Sequence, residues 1–244
     1  MLTRVHHAGI VVRSLDEAYR FYRDTLGLPL LEEAEVRDQG VRAALLDAGP
    51  SEVELLEPLH GETGVGRFLA RRGEGLHHVC FHTPDVAAAL ADLAARRVEL
   101  IDAAPRPGLA GQIAFLHPRA CAGLLVELAT PPATEHHGPA SPYRLVRVVA
   151  GSRDPHGSVA VLASVLGLTA TGTKLVAGPS VVEVLAPEVA GGEGLSALGF
   201  EVPDRRAIVE RCMGAGIAMH EVGDEIVIDP RLAHGAQLRF RHPA

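Results

Sequence analysis

Residues 73–81 read GEGLHHVCF and residues 192–200 read GEGLSALGF. The frame recurs at an offset of 192 − 73 = 119, while both histidines of the first copy are missing from the second. The same offset sets Pro84 on Pro203 and Asp85 on Asp204, each ahead of a helix-like segment. Three further blocks recur in the same order. YRDTLGL (22–28) answers LASVLGL (162–168) at offset 140, SEVELLEP (51–58) answers SVVEVLAP (180–187) at 129, and HPRACAGLLVEL (117–128) answers DPRLAHGAQLRF (229–240) at 112. Constant order with changing offsets is what duplication followed by loop shortening leaves. The chain therefore reads as two domains, 1–131 and 143–244, joined by a linker over 132–142 in a stretch dense in Pro, Ala, Gly and Thr.

With 244 residues, 47% of them hydrophobic, the chain is long enough to bury a sizeable core. The three cysteines, Cys80, Cys121 and Cys212, are odd in number and widely spaced, which argues against a disulfide framework or a zinc knuckle and fits a reducing cytoplasm. The start MLTRVHHAGIVV lacks the form of a secretion signal, and no run approaches the roughly 18 apolar residues of a membrane span. A formal charge of −7, with both signs interspersed, offers no footprint for nucleic acid.

In the first half RVHHAGIVV reads as a strand. Ser14 then caps a helix in which Leu15, Ala18, Tyr19, Tyr22 and Leu26 recur at helical spacing, ending at Gly27. VRAALLDAG and SEVELLEPL read as strands, as does LHHVCFHT; Pro84 and Asp85 open the helix DVAAALADLAARR, and QIAFLHP and GLLVELA close the unit as strands. The pattern is βαβββ, twice. Tyr19, Phe21 and Tyr22 read as helix packing, Cys80 as a small core residue, Gly40 and Gly111 as turns, and His136-His137 as an exposed linker pair.

Strand side chains alternate faces, so only one histidine of His6-His7 and one of His77-His78 can point at the concave side of a sheet. Glu54 and Glu127 sit between aliphatics, where a bare charge is costly and wants a partner. Two imidazoles and two carboxylates from four strands would suit a divalent ion, with about two octahedral positions left for substrate. Periodicity leaves Glu52 and Glu54 on one strand face, and does not choose between His78 and His82.

Residues 3–131 resemble the methylmalonyl-CoA epimerases of the vicinal oxygen chelate superfamily, through HHAGIVV, FYRDTLGL, DQGV, EVELLEPL, GEGLHHVCF, PRPG, and AFLHP followed by GLLVEL. The resemblance implies an α+β fold in which paired βαβββ modules form a concave mixed sheet, here duplicated along the chain. It carries the family's metal ligands onto His7, Glu54, His78 and Glu127, and implies one divalent ion per chain: cobalt, manganese, nickel or zinc. The implied activity is that of a metal-dependent isomerase, an epimerase of an acyl-CoA thioester working by α-proton abstraction through a stabilised enolate, with Glu127 as a base. Arg106 in PRPG, like Arg119, is a candidate for the CoA phosphates. Some family members carry a second glutamate after the QGV turn, where this chain has Ala43. Other readings within the superfamily are a glyoxalase-type isomerase or lyase, and a non-catalytic ligand-binding resistance protein. An extradiol dioxygenase is disfavoured by the fourth ligand.

By the block alignments His7 falls on Arg147, Glu54 on Glu183, His78 on Ala197 and Glu127 on Arg239, so the second half is expected to hold no metal. Its expected role is to pack against the first half as an intramolecular pseudo-dimer, with further homo-oligomers open.

Overall fold

The computed structural model describes residues 2–132 and 141–243. Residues 133–140 of the expected linker, with His136 and His137, lie outside the described residues.

Strand β1, Arg4–Val11, is buried from Val5 onward. The Ser14 side chain then accepts a hydrogen bond from the Glu17 N–H and starts α1, Leu15–Tyr19, which continues as a wide-turn helix over Arg20–Thr25. Gly27 stops it at φ +84°, a conformation that suits glycine. The first half continues with β2 (Leu30–Val36), β3 (Val41–Ala48), β4 (Ser51–Pro58), α2 (Gly64–Arg72), β5 (Gly75–His82), α3 (Val86–Ala95), β6 (Arg106–Gly108), β7 (Gly111–Leu116) and β8 (Val126–Thr130). Asp85 caps α3 through the Ala88 N–H, as its position after Pro84 predicts. Strands β2 and β6 and helix α2 add to the elements read from the sequence.

The second half repeats the order with β9 (Arg144–Gly151), α4 (Pro155–Leu166), β10 (Thr169–Thr171), β11 (Lys174–Ala177), β12 (Ser180–Leu185), the single turn α5 (Pro187–Ala190), β13 (Gly194–Glu201), α6 (Arg205–Gly214), β14 (Met219–Val222), β15 (Glu225–Ile228) and β16 (Gln237–Arg241). Each half forms one mixed eight-stranded sheet, with strand orders β2-β3-β4-β1-β5-β8-β7-β6 and β10-β11-β12-β9-β13-β16-β15-β14. The sheets are equivalent in register as well as order. Val79 pairs with Val126 across parallel β5 and β8, and Leu198 with Leu238 across parallel β13 and β16, as offsets 119 and 112 require. The duplicated βαβββ fold expected from the repeats is the observed one.

Each sheet comes from one half of the sequence, whereas the two compact units of the chain each take segments from both halves. One comprises Met1–Ala8, His78–Glu135 and Arg147–Ser196. In it Arg96, just past α3, donates to the carbonyls of Ser164 (2.6 Å) and Val165 (3.0 Å) near the end of α4. The other comprises Gly9–His77, His136–Val146 and Ala197–Ala244. In it the Tyr22 hydroxyl donates to the Ala233 carbonyl (2.9 Å), and Arg211 of α6 donates to the Leu26 carbonyl (2.8 Å).

The retained residues of GEGL now have a reason. Glu74 accepts from the Arg13 N–H at 2.8 Å, and its counterpart Glu193 pairs with the side chain of Arg153, so each glutamate ties down the segment that follows its half's first strand. Phe81 and Phe200 are both core residues.

Candidate metal centre

His7 on β1 and His78 on β5 are buried, and their Nε2 atoms lie 3.0 Å apart. Both also reach one oxygen of buried Glu127 on β8, Oε2, at 3.1 Å from His7 and 2.9 Å from His78. The strands explain the convergence. Parallel pairing of β5 with β8 sets Glu127 beside Cys80, two residues from His78, and the rings of His7 and His78 cross edge-to-face at 84°.

Three ligand atoms at these separations fit a cation. Metal–ligand bonds of about 2.1 Å put neighbouring ligand atoms of an octahedron about 3.0 Å apart, against about 3.4 Å for a tetrahedron. A proton on one Nε2 can serve only one edge of the triangle at a time, whereas a cation held by these residues would engage all three lone pairs. Burial alone would raise the Glu127 pKa, but hydrogen bonds from His7 and His78 outweigh it and hold the carboxyl well below the usual carboxylate range.

His6 completes the surroundings of His7. Its Nδ1 lies 2.9 Å from the Nδ1 of His7, and burial, then the charges of His7 and Arg4, push its pKa down to about 2. A neutral His6 accepting from the His7 Nδ1–H would let His7 release its Nε2 proton on binding a metal and stay a neutral ligand, the arrangement by which outer groups set a ligand's tautomer. Strand alternation hid this role, because it assigns one imidazole of each pair to the concave side and leaves the other without a task. The ring of His77 packs on Phe68 of α2, centroids 4.9 Å apart.

Glu54 is buried on β4, its backbone paired with Leu45. His7, Glu54, His78 and Glu127 each offer a ligand atom within 4.8 Å of the other three. The alternatives left open by periodicity are outside this group: the His82 Nδ1 is hydrogen-bonded with the Thr3 hydroxyl at 2.6 Å, and Glu52 is not a member.

Arg106 is ion-paired with Asp102 at 3.2 Å, its guanidinium 5.5 Å from the centre of the Phe115 ring. That ring packs edge-on against His78, centroids 5.4 Å apart. Asp102 also accepts from the Phe115 N–H, so Arg106, Asp102 and Phe115 form one small assembly beside the imidazole. Arg119 instead projects into solvent, 74% exposed, and pairs with Glu99. Ala43 is buried on β3.

At the equivalent positions of the second half the chemistry differs. Arg147 and Glu183 form an ion pair at 3.4 Å, with Lys174 at 3.5 Å on the same carboxylate. Arg239 pairs with Glu225 at 3.2 Å, and Ala197 is a core residue. Among the described residues, the groups of side chains with metal-ligand spacing lie in the first half. Among them, too, no helix is long and apolar enough to cross a membrane.

Known proteins share this half of the molecule. The model of the Glyoxalase/Bleomycin resistance protein/Dioxygenase superfamily matches residues 6–115. An uncharacterized protein of Bacillus subtilis, YqjC, is 40% identical over 137 residues, 56% of this chain and 98% of the relative. The mitochondrial methylmalonyl-CoA epimerase of Mus musculus is 34% identical over 129 residues, 52% of this chain and 72% of the relative. A structure of a variant Streptomyces coelicolor methylmalonyl-CoA epimerase in complex with 2-nitronate-propionyl-CoA superposes with a TM-score of 0.53 at 41% identity, covering 55% of this chain and 100% of that one. Each match spans about half of this chain and most or all of a single-module relative, as a duplicated chain requires. The chain belongs to the Glyoxalase/Bleomycin resistance protein/Dioxygenase superfamily, within the group that holds the methylmalonyl-CoA epimerases, which are isomerases.

Proposed function

We propose that the first half is a divalent-metal-dependent epimerase of a methylmalonyl-CoA-like acyl-CoA thioester, with His7, Glu54, His78 and Glu127 as the metal ligands. The observation that carries this reading is the triangle of His7 Nε2, His78 Nε2 and Glu127 Oε2, with edges of 2.9 to 3.1 Å. Imidazole and carboxylate donors suit cobalt, manganese, nickel or zinc. Such an ion supplies positive charge that stabilises the enolate formed when a proton leaves the carbon α to the thioester.

The protein's own groups do the rest. Glu127, ionised and acceptor-only, takes the α-proton onto its carboxylate. Buried strands around it keep bulk water from quenching the carbanionic carbon. Arg106, steered by Asp102 across the ring of Phe115, supplies a cation for an anionic part of the substrate. The second half contributes packing and no metal, since Arg147 already neutralises Glu183 there. A cytoplasmic location suits three buried, unbridged cysteines.

The test is incubation of metal-loaded protein with a panel of acyl-CoA thioesters in D2O, following α-proton exchange and inversion. Both are expected for a thioester that also carries a carboxylate on its α-carbon. Glu127→Gln should slow them by roughly 100-fold to 10,000-fold, the range of a lost acid-base group. A native protein that exchanges no α-proton in any member of the panel overturns the proposal, and full activity in Glu127→Gln overturns the role of that carboxylate.

A further inference from the structure

Inversion needs a proton delivered to the face opposite the one from which it was taken. Ala43 has no proton to give. The sheet holds a carboxyl group that can carry one.

The two faces of β2, β3 and β4 are identified by their contacts. Glu33 accepts from the Tyr19 hydroxyl of α1 and from Arg42, and Arg42 also pairs with Glu57, whose carboxylate accepts from the Leu15 N–H. Glu33, Arg42 and Glu57 therefore lie on the α1 face. Residues paired across antiparallel strands share a face, and successive residues alternate. The row Glu32, Leu45, Glu54 thus lies on the opposite face, and beside it runs the row Ala34, Ala43, Leu56. Glu32 shares its face with Glu54, with β3 between them.

A β-bulge puts it there. Leu30 pairs with Leu46 but Glu32 pairs with Leu45, so Leu31 is an extra residue. Continued without the bulge from Leu30, the ladder would pair Glu32 with Ala44 and turn it to the α1 face. Bulges beside active sites commonly re-aim a side chain in this way. Glu32 is half-buried, and among the described residues no hydrogen bond or ion pair engages its carboxylate, in contrast to Glu33 beside it. Ala43 is its diagonal neighbour. Diagonal positions are about 7–8 Å apart, within reach of a long side chain, and Ala34 and Ala43 carry only methyl groups on this face.

The second half supplies a contrast. Its β10 is three residues long and pairs with β11 without a bulge over Thr169–Thr171, and the row Thr171, Lys174, Glu183 answers Glu32, Leu45, Glu54, so Thr171 stands where the first half has Glu32. The bulge and the carboxylate are absent from the half in which three metal-ligand positions are also changed.

We propose that Glu32 is the second proton-transfer residue, giving and taking a proton at the substrate α-carbon on the face opposite Glu127. This rests on the epimerase reading. When Glu127 takes the α-proton, the C–H bond breaks and its electron pair enters the enolate. The carboxylic acid of Glu32 then protonates the same carbon from the other face, its O–H bond breaking as the new C–H bond forms. The protein is left with Glu127 protonated and Glu32 ionised, the state that turns over the opposite epimer.

The experiment follows each epimer of methylmalonyl-CoA separately in D2O with metal-loaded protein, measuring α-deuterium uptake by mass spectrometry and inversion by a chiral assay; the epimer whose α-proton faces Glu127 is the one read below. The native chain is expected to do both. Glu32→Gln should keep deuterium uptake on the Glu127 side while losing about 100-fold or more of its inversion. Retained uptake in the same sample shows that the variant is folded. Ala43→Glu added to Glu32→Gln should recover inversion, because it returns a carboxylate to the adjoining row. Native-like inversion by Glu32→Gln overturns the assignment and leaves the epimerase reading standing. A native chain with neither uptake nor inversion overturns both.

Discussion

The Nε2 atoms of His7 and His78 stand 3.0 Å apart with a single carboxylate oxygen, Glu127 Oε2, closing the triangle. These groups come from three strands that are distant in sequence and adjacent in the sheet. Chelator-stripped protein reloaded with a divalent ion is expected to hold about one ion per chain by elemental analysis. Binding should also raise the melting temperature, since an ion at 1,000 times its dissociation constant stabilises by about 4 kcal/mol. His78→Ala should abolish both effects. Retention of the ion by that variant, or two ions per native chain, contradicts the site.

Arg147 holds the place that His7 has in the first half, and its partner Glu183 is largely buried. Arg147→Ala should leave that carboxylate with only the half-exposed Lys174 and cost roughly 1–3 kcal/mol of stability. Urea unfolding of the apo protein measures it. The metal content per chain should not change. Replacing Glu183 by Leu as well should recover much of the loss, because the uncompensated charge is then gone.

Acid should destabilise the metal-free protein earlier than an ordinary carboxylate titration would. His6 falls from 6.5 to about 2 on folding, so between those limits the unfolded chain binds the extra proton and stability is lost as pH falls below 6.5. Glu127 acts in the same direction at lower pH, because its depressed pKa contributes stability above the unfolded value of about 4.3 that disappears on protonation. Each group can add at most about 1.4 kcal/mol per pH unit. Urea midpoints of chelated protein between pH 7 and 5 should fall for the native chain and fall less for His6→Asn. An equal slope in the two proteins would remove His6 as the cause.

A chain ending at Thr130 should not behave as a free-standing enzyme. It would lose the Ala233 carbonyl that receives the Tyr22 hydroxyl, the Arg211 guanidinium on Leu26, and the α4 carbonyls that receive Arg96. Light scattering is expected to show aggregation or homodimers. A well-behaved, fully active monomer would show that residues 143–244 are dispensable to the first half.

Much of this architecture was legible in the sequence because repeats carry register. The offset between the GEGL copies predicted which strands correspond, and β5 and β13 do correspond, down to the pairs they make with β8 and β16. Ser14 and Gly27 bounded a helix because capping and a positive φ are local requirements. The choice between His78 and His82 was not legible, since a period of two puts both on one face; it depends on Thr3, which is remote in sequence and takes up His82. Glu32 was hidden in LLEEAEV for a related reason. A bulge is set by what the neighbouring strand pairs with, and nothing in the run itself marks Leu31 as the extra residue. The composition of the compact units also lay beyond the blocks, because strands pair within a half while the side chains of Tyr22, Arg96 and Arg211 hydrogen-bond to carbonyls of the other.

Gly235, at φ +79°, lies in the second half of the chain, yet a Cβ added to it would collide with the backbone of Glu74 and Gly75 at the entrance to the strand that carries His78. Damage to the half that carries the His7, His78 and Glu127 triangle can therefore originate in the other half. Genetic screens of this chain would then record loss-of-function alleles on both sides of the duplication, and a map of tolerated substitutions would not fade past residue 143. The two copies are separable as text and inseparable as targets of selection.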